Sequence, residues 1–271
     1  MVTGGTSGIG KATVLALAAM GSTTVLVCRD PAKGEATADE VRLATGNDRV
    51  EVLVADLSSQ ASIRALVDAL RTEHDHLDVL VNCAGAFFRE RQVTVDGLEM
   101  TFALNHLAYF LLTNLLLDSL RRSESARILN VTAPATTKIN LDDLQSERRY
   151  RPFTVFGASK VANLMFTFEL ARRLADTAIT VNAVHPGRVR SNIMQEAPAP
   201  FRLLTRLLSS SPERAGAAIA ALATSPDYTD RTGRFYRDAK EIRASAAATN
   251  VALQRRLWEA SEELTSLRSA T

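Results

Sequence analysis

A glycine-rich turn between a strand and a helix most constrains this chain. Met1-Val2-Thr3 is a strand stub. Gly4-Gly5-Thr6-Ser7-Gly8-Ile9-Gly10 follows, and Val14, Leu15, Leu17, Ala18 and Met20 then carry a helix. Glycines let backbone N–H groups approach a pyrophosphate, and a helix N-terminus adds partial positive charge. Flanked this way, the turn predicts the first βα unit of a nucleotide-binding sheet. Without its flanks the same motif would also fit a plain glycine turn. The strand is short for one expected at the sheet centre. Either it is abbreviated or the true start lies upstream of Met1.

The pattern repeats along the chain. Residues 23–28, 50–55, 77–81, 127–132, 179–184 and 233–236 read as short strands. Residues 77–81 are fully apolar, as a buried parallel strand requires. Helices are expected at 31–46, 60–74, 96–120, from about 153 through Leu170, at 212–223, and around Val251, Leu253, Leu257 and Trp258, with Trp258 in the core. Strand–helix alternation from end to end specifies an α/β fold: one domain, 1–271, on a doubly wound parallel sheet of Rossmann type. Residues 192–211 break the pattern with Pro198 and Pro200 and an apolar stripe of Phe201, Leu203, Leu204, Leu207 and Leu208. They read as a mobile lid over an apolar ligand. A helix packed on the core and an oligomer contact are the alternatives.

Bulk properties exclude several classes. With 271 residues, 46% of them hydrophobic, the chain buries a full core. Thirty-two basic against 30 acidic residues, a net charge of +2, make no electrostatic case for nucleic acid or membrane. Cys28 and Cys83 lie in apolar runs and read as reduced core residues of a cytoplasmic protein, not as a disulfide or metal site. No apolar run reaches the ~20 residues of a membrane helix, and no signal peptide opens the chain.

Individual residues carry more. Arg29 ends the second strand, where a cation would bind the 2′-phosphate of NADP(H) and an acid the free 2′-hydroxyl of NAD. The alternative is a solvated strand-end charge, and Asp30 beside it opposes a phosphate. Asp56 suits either a helix cap or an adenine amine. Asn82-Cys83-Ala84-Gly85 brings small residues close to a cofactor. Asn105 is a poor mid-helix residue among Phe102, Leu104, Leu107 and Phe110, so it needs a partner or a purpose. Its neighbour His106 reads as structural. The run from Glu147 to Arg151 reads as solvated surface. Phe156 and Lys160 share one helix face, one turn apart.

Taken together, these segments resemble the short-chain dehydrogenase/reductase family over essentially the full length. The resemblance rests on Thr3 to Gly10, Asp56-Leu57, Asn82 to Gly85, Asn105, and Pro186-Gly187 after the sixth strand. It is closest to retinol-dehydrogenase-like members, through Cys28-Arg29-Asp30, Asn105-His106-Leu107, the Leu144 to Tyr150 run and Leu257-Trp258-Glu259. It implies an NADP(H) site: Gly4, Ser7, Gly8 and Ile9 on the pyrophosphate, Arg29 on the 2′-phosphate, and Asp56 and Leu57 on the adenine. It also implies Asn82 and Ala84 near the adenosine, Lys160 on the nicotinamide ribose, and Pro186, Val189 and Ser191 on the nicotinamide. Subunit pairing through the helices at 97–120 and 153–174 is a further implication, with burial in the core the alternative.

The family's catalytic set is Asn, Ser, Tyr and Lys. Asn105 and Lys160 match it. The Ser position is Ala133, in Thr132-Ala133, and the Tyr position is Phe156. General acid catalysis is worth about 10²–10⁴-fold and an oxyanion donor about 10²–10³-fold. Additive loss of both would cost on the order of 5–9 kcal/mol. Three accounts follow. Another acid, among Thr132, Thr136, Tyr109, Tyr150 and His185, could reach the site, although the Thr132 side chain is expected to point away. A substrate phenol beside the ketone could supply the proton, with Phe156 and Ala133 lining a pocket for a flat aromatic polyketide ketone. Atypical family members that reduce angucyclinones, as in simocyclinone-type antibiotic pathways, are similar. Or the chain is an NADP(H)-binding sensor or scaffold without chemistry.

Overall fold

The computed structural model describes residues 1–187 and 211–267. Val2–Thr3 forms β1, followed by α1 (Gly8–Ala19), β2 (Thr24–Cys28), α2 (Pro31–Thr45), β3 (Val50–Val54), α3 (Gln60–Glu73) and β4 (Val79–Asn82). Next come α4 (Met100–Phe102), a π-turn (Ala103–Leu107), α5 (Ala108–Leu115), α6 (Leu117–Arg121), β5 (Arg127–Val131), α7 (Pro152–Arg173) and β6 (Thr180–His185). Beyond the undescribed segment lie α8 (Pro212–Thr224), β7 (Phe235–Arg237), β8 (Lys240–Glu241), α9 (Ala246–Thr249) and α10 (Val251–Leu264).

The strands form one sheet in the order β3-β2-β1-β4-β5-β6-β7-β8, parallel except for β8. Short as it is, β1 is central: Val2 aligns with Leu26 on β2 and with Val81 on β4. The order reverses beside β1, and a crevice at the carboxyl ends of the strands is where such sheets bind ligands. One face buries Ile63, Leu66, Phe110, Phe166 and Trp258 from α3, α5, α7 and α10. The other buries Val14, Leu17, Val41 and Ile219 from α1, α2 and α8. Trp258 is core, as expected, 4.8 Å from Phe110 and 5.9 Å from Phe166 between ring centroids.

The expected helix at 96–120 needs correction. It starts at Met100, because Glu99 accepts hydrogen bonds from Thr101 N and Phe102 N and so caps it. Gly97 before it has φ +77° and belongs to the preceding turn. The helix is then interrupted by the π-turn that contains Asn105. The strand expected at 77–81 runs Val79–Asn82 instead. The β7–β8 hairpin turns through Asp238 and Ala239, both at positive φ, and carries no glycine to announce it. Residues 192–210 of the expected lid lie outside the described residues, as do Val189 and Ser191.

Candidate active site

The turn after β1 packs backbone against backbone. Gly4 N and Gly5 N both donate to Val27 O on β2. Gly4 has φ +68°, and a methyl group on Gly10 would lie 2.2 Å from Gly4 O. The tight turn therefore excludes side chains at these positions. Ser7 begins α1 without a side-chain cap, and Ser7, Gly8 and Ile9 stay partly exposed. That is a cradle of helix-terminal N–H groups, and it fits the pyrophosphate of a dinucleotide.

The neighbouring strand ends converge on the same edge. Arg29 is exposed, while Asp30 caps α2 by accepting from Lys33 N. The Asp30 carboxylate thus has a partner of its own. Asp56 does not cap α3. Its carboxylate accepts from Ser58 N and Ser58 Oγ, and Ser59 is the cap. Leu57 is buried in the core. The Asn82 side chain is wholly buried and bonds Thr113 Oγ1 and Asn130 Oδ1. It braces β4, β5 and α5, so only its backbone is left to approach a ligand. Ala84 is partly exposed and its backbone is fixed twice: its N–H donates to Thr3 Oγ1, and its carbonyl accepts from Tyr109 OH.

Asn105 has the partners its burial demands. Ala86 N donates to Asn105 Oδ1 at 2.8 Å, and Asn105 Nδ2 donates to Ala86 O at 3.0 Å and to Ser159 Oγ at 3.2 Å. Its own carbonyl accepts from Asn163 Nδ2. A π-turn shifts backbone pairing to i→i+5, here Ala108 N to Ala103 O, and such turns recur at functional positions. His106 is structural. Its ring bonds Asn163 Oδ1 and Ser261 Oγ, and burial pushes its pKa down to about 4.

Lys160 lies across from Asn105. A methyl group on Gly85 would stand 3.0 Å from Asn105 Oδ1 and 3.5 Å from Lys160 Nζ, so the three residues meet at one point. Lys160 is 5% exposed, and burial lowers its pKa to about 8, with nearby Cys83 acting the other way. Its Nζ sits 5.4 Å from the centroid of the Phe156 ring, and no hydrogen bond ties it to the described residues. Its donors are thus left for a ligand such as a ribose diol. Burial raises the Cys83 thiol to about 12, so it stays neutral; Cys28 and Cys83 are both free.

Of the hydroxyl groups weighed as acids, those of Thr132, Tyr109 and Tyr150 are otherwise engaged, and Thr136 is exposed. Thr132 Oγ1 donates to Lys160 O at 2.8 Å and so points into α7, away from the cleft. Tyr109 OH donates to Ala84 O, and burial raises its pKa well above the usual phenol range. Tyr150 OH donates to Phe88 O. Burial pushes His185 down to about 4, so its ring is neutral near pH 7. Ala133, Phe156 and Pro186 are partly exposed.

Phe87 and Thr137 escaped the sequence reading, which also gave no separate role to Thr3 or Ser159. Phe87 is buried and packs edge-on against Phe156, 5.9 Å between centroids, and against Phe153 at 4.9 Å. Thr137 covers Gly157: a methyl there would meet Thr137 Oγ1 at 2.3 Å. The doublet Phe87-Phe88 after Gly85 was the one visible signal for the aromatic wall.

Comparison with known proteins identifies the family and the fold. A family model described as short chain dehydrogenase matches residues 1–200. Retinol dehydrogenase 12 of Mus musculus is 39% identical over 269 residues, spanning 97% of this chain and 85% of that protein. A protein of Mycobacterium paratuberculosis superposes with a TM-score of 0.78 at 31% identity, over 97% of this chain and 91% of that one. The Pseudomonas aeruginosa RhlG/NADP active-site complex gives 0.72 at 28% identity, over 91% and 94%. The chain belongs to the short-chain dehydrogenase family of oxidoreductases.

Proposed function

We propose that this chain is an NADPH-dependent ketoreductase for an aromatic, polyketide-type ketone, and that a phenol of the substrate supplies the proton. The observation that carries the reading is the pairing of Phe156 with Lys160. The lysine is buried and its Nζ has no hydrogen bond to a described residue, yet the group one turn before it is a ring that cannot give a proton.

Family membership and the NADP complex of a related fold support the cofactor, and Arg29 favours the 2′-phosphorylated form. When bound, a reduced nicotinamide would supply the hydride that the carbonyl carbon takes. The chain's own residues do the rest. Lys160 holds the ribose through its ammonium. Asn105 fixes the 84–87 segment along the cofactor. Phe156, backed by Phe87, forms an apolar wall, and Ala133 leaves room beside it. A phenol ortho or peri to the ketone hydrogen-bonds the carbonyl internally. As the alkoxide develops it takes that proton, and the resulting phenolate is reprotonated by water. Excluding water from the aromatic wall strengthens this internal bond.

NADPH consumption across a panel of ketones, with and without an adjacent phenol, tests the reading. Turnover confined to hydroxyaryl ketones is expected, and equal turnover of simple ketones would point to a protein acid. Tight NADPH binding with no turnover of any ketone would instead support a sensor or scaffold. Restoring the hydroxyls, with Phe156→Tyr and Ala133→Ser, is expected to bring no gain on hydroxyaryl ketones.

A further inference from the structure

A second cleft, of about 290 Å³, opens on the other side of α7. Thr154, Val155 and Ala158 border it, and helical periodicity places them opposite Phe156 and Lys160. The floor is apolar, with Phe102, Ile139, Leu144 and Val155. The rim is basic: Lys138, Arg148, Arg149 and Arg151 all line the opening and are exposed. None of the four forms an ion pair with a described residue. The acid on the lining, Asp143, accepts hydrogen bonds from Glu147 N and Arg148 N. Nearby Asp142 is paired with Arg256 on α10. The concentration of cations is local, since the whole chain carries only +2.

We propose that this cleft is a binding site for a small amphipathic anion: a short alkyl or aryl group bearing one oxyanion head. Guanidinium forks match carboxylate and phosphate oxygens in pairs, and three arginines on one rim supply several such forks. The apolar floor would be wasted on a bare inorganic ion. The cavity sits near the lower bound for small-molecule pockets, which limits the tail to a short one. The site stands apart from the reduction site and does not depend on how that site works.

Calorimetric titration of the full-length chain with octyl phosphate, octanol and inorganic phosphate tests this. Octyl phosphate should bind, more weakly as salt rises, and at least about tenfold tighter than either control. The exposed double variant Arg148→Ala/Arg151→Ala should lose at least about tenfold in affinity while its thermal unfolding stays that of the wild type. Hydrogen exchange should slow in peptides spanning 138–158. Absence of octyl phosphate binding overturns the proposal. So does equal binding by the double variant, phosphate binding as tightly as octyl phosphate, or binding to anionic vesicles without binding to octyl phosphate.

Discussion

Asn105 grips the backbone of Ala86 from both sides, accepting from its N–H at 2.8 Å and donating to its carbonyl at 3.0 Å. The grip passes to Phe87, the next residue, and from its ring to Phe156. Asn105 therefore sets the aromatic wall. Asn105→Ala leaves both Ala86 groups and Ser159 Oγ short of a partner. The expected cost is about 2–4 kcal/mol, since each buried unpaired group costs about 1–3 kcal/mol. Urea unfolding measures it. Asn105→Asp, which keeps only the acceptor, should fall between. A change within experimental error for the alanine variant would show that the clamp contributes nothing.

Lys160 is held at a cost. Its pKa falls from 10.5 to about 8 on burial, so between those values the unfolded chain binds more protons than the folded one. Stability of the cofactor-free protein should therefore rise from pH 8 towards 10.5, and below pH 8 the buried ammonium is destabilising by up to about 3 kcal/mol. Lys160→Met should stabilise the free protein at pH 7, remove that pH dependence and weaken NADPH binding. Paired unfolding and cofactor titrations check all three. A destabilised methionine variant with unchanged NADPH affinity would contradict the assigned role.

His106 moves stability in the acid range. Its folded pKa is about 4 against an ordinary 6.5, so the unfolded chain takes up the extra proton as pH falls through that window. Stability is fully present above about pH 6.5 and declines towards pH 4, by about 3 kcal/mol from this residue. Nuclear magnetic resonance should find the His106 ring neutral down to about pH 5. A midpoint near 6.5 would mean that burial does not hold the ring neutral.

Arg29 should decide between the two nicotinamide cofactors. Arg29→Ala is expected to weaken NADPH by at least about tenfold and to leave NADH nearly unchanged. Equal loss for both cofactors would assign Arg29 to folding, and no loss would leave it a solvated charge.

The fold was largely legible because parallel strands and their crossovers carry separate, local signals. Apolar runs such as 24–28 mark buried strands, and Gly46 at positive φ closes α2 where the sequence placed its end. Short-range polar turns and backbone irregularities were not legible, because they have no periodic signature: Glu99 caps α4 through the N–H groups two and three residues on, Asp56 folds back on Ser58, and Asn105 sits in a π-turn. The Asp238-Ala239 turn lacks the glycine or asparagine that usually marks positive φ. In the site, the meeting of Gly85, Asn105 and Lys160 could be expected from the family pattern. Phe87 behind Phe156 could not, because their contact joins residues 69 apart in the chain.

The most direct test of the central claim compares one hydroxyaryl ketone with its methyl ether, following NADPH oxidation by the wild-type chain. Methylation keeps the ring and the carbonyl and removes only the internal acid. The account predicts that turnover of the ether falls by at least the 10²–10⁴-fold that a general acid is worth. Equal rates for the phenol and its ether would contradict it.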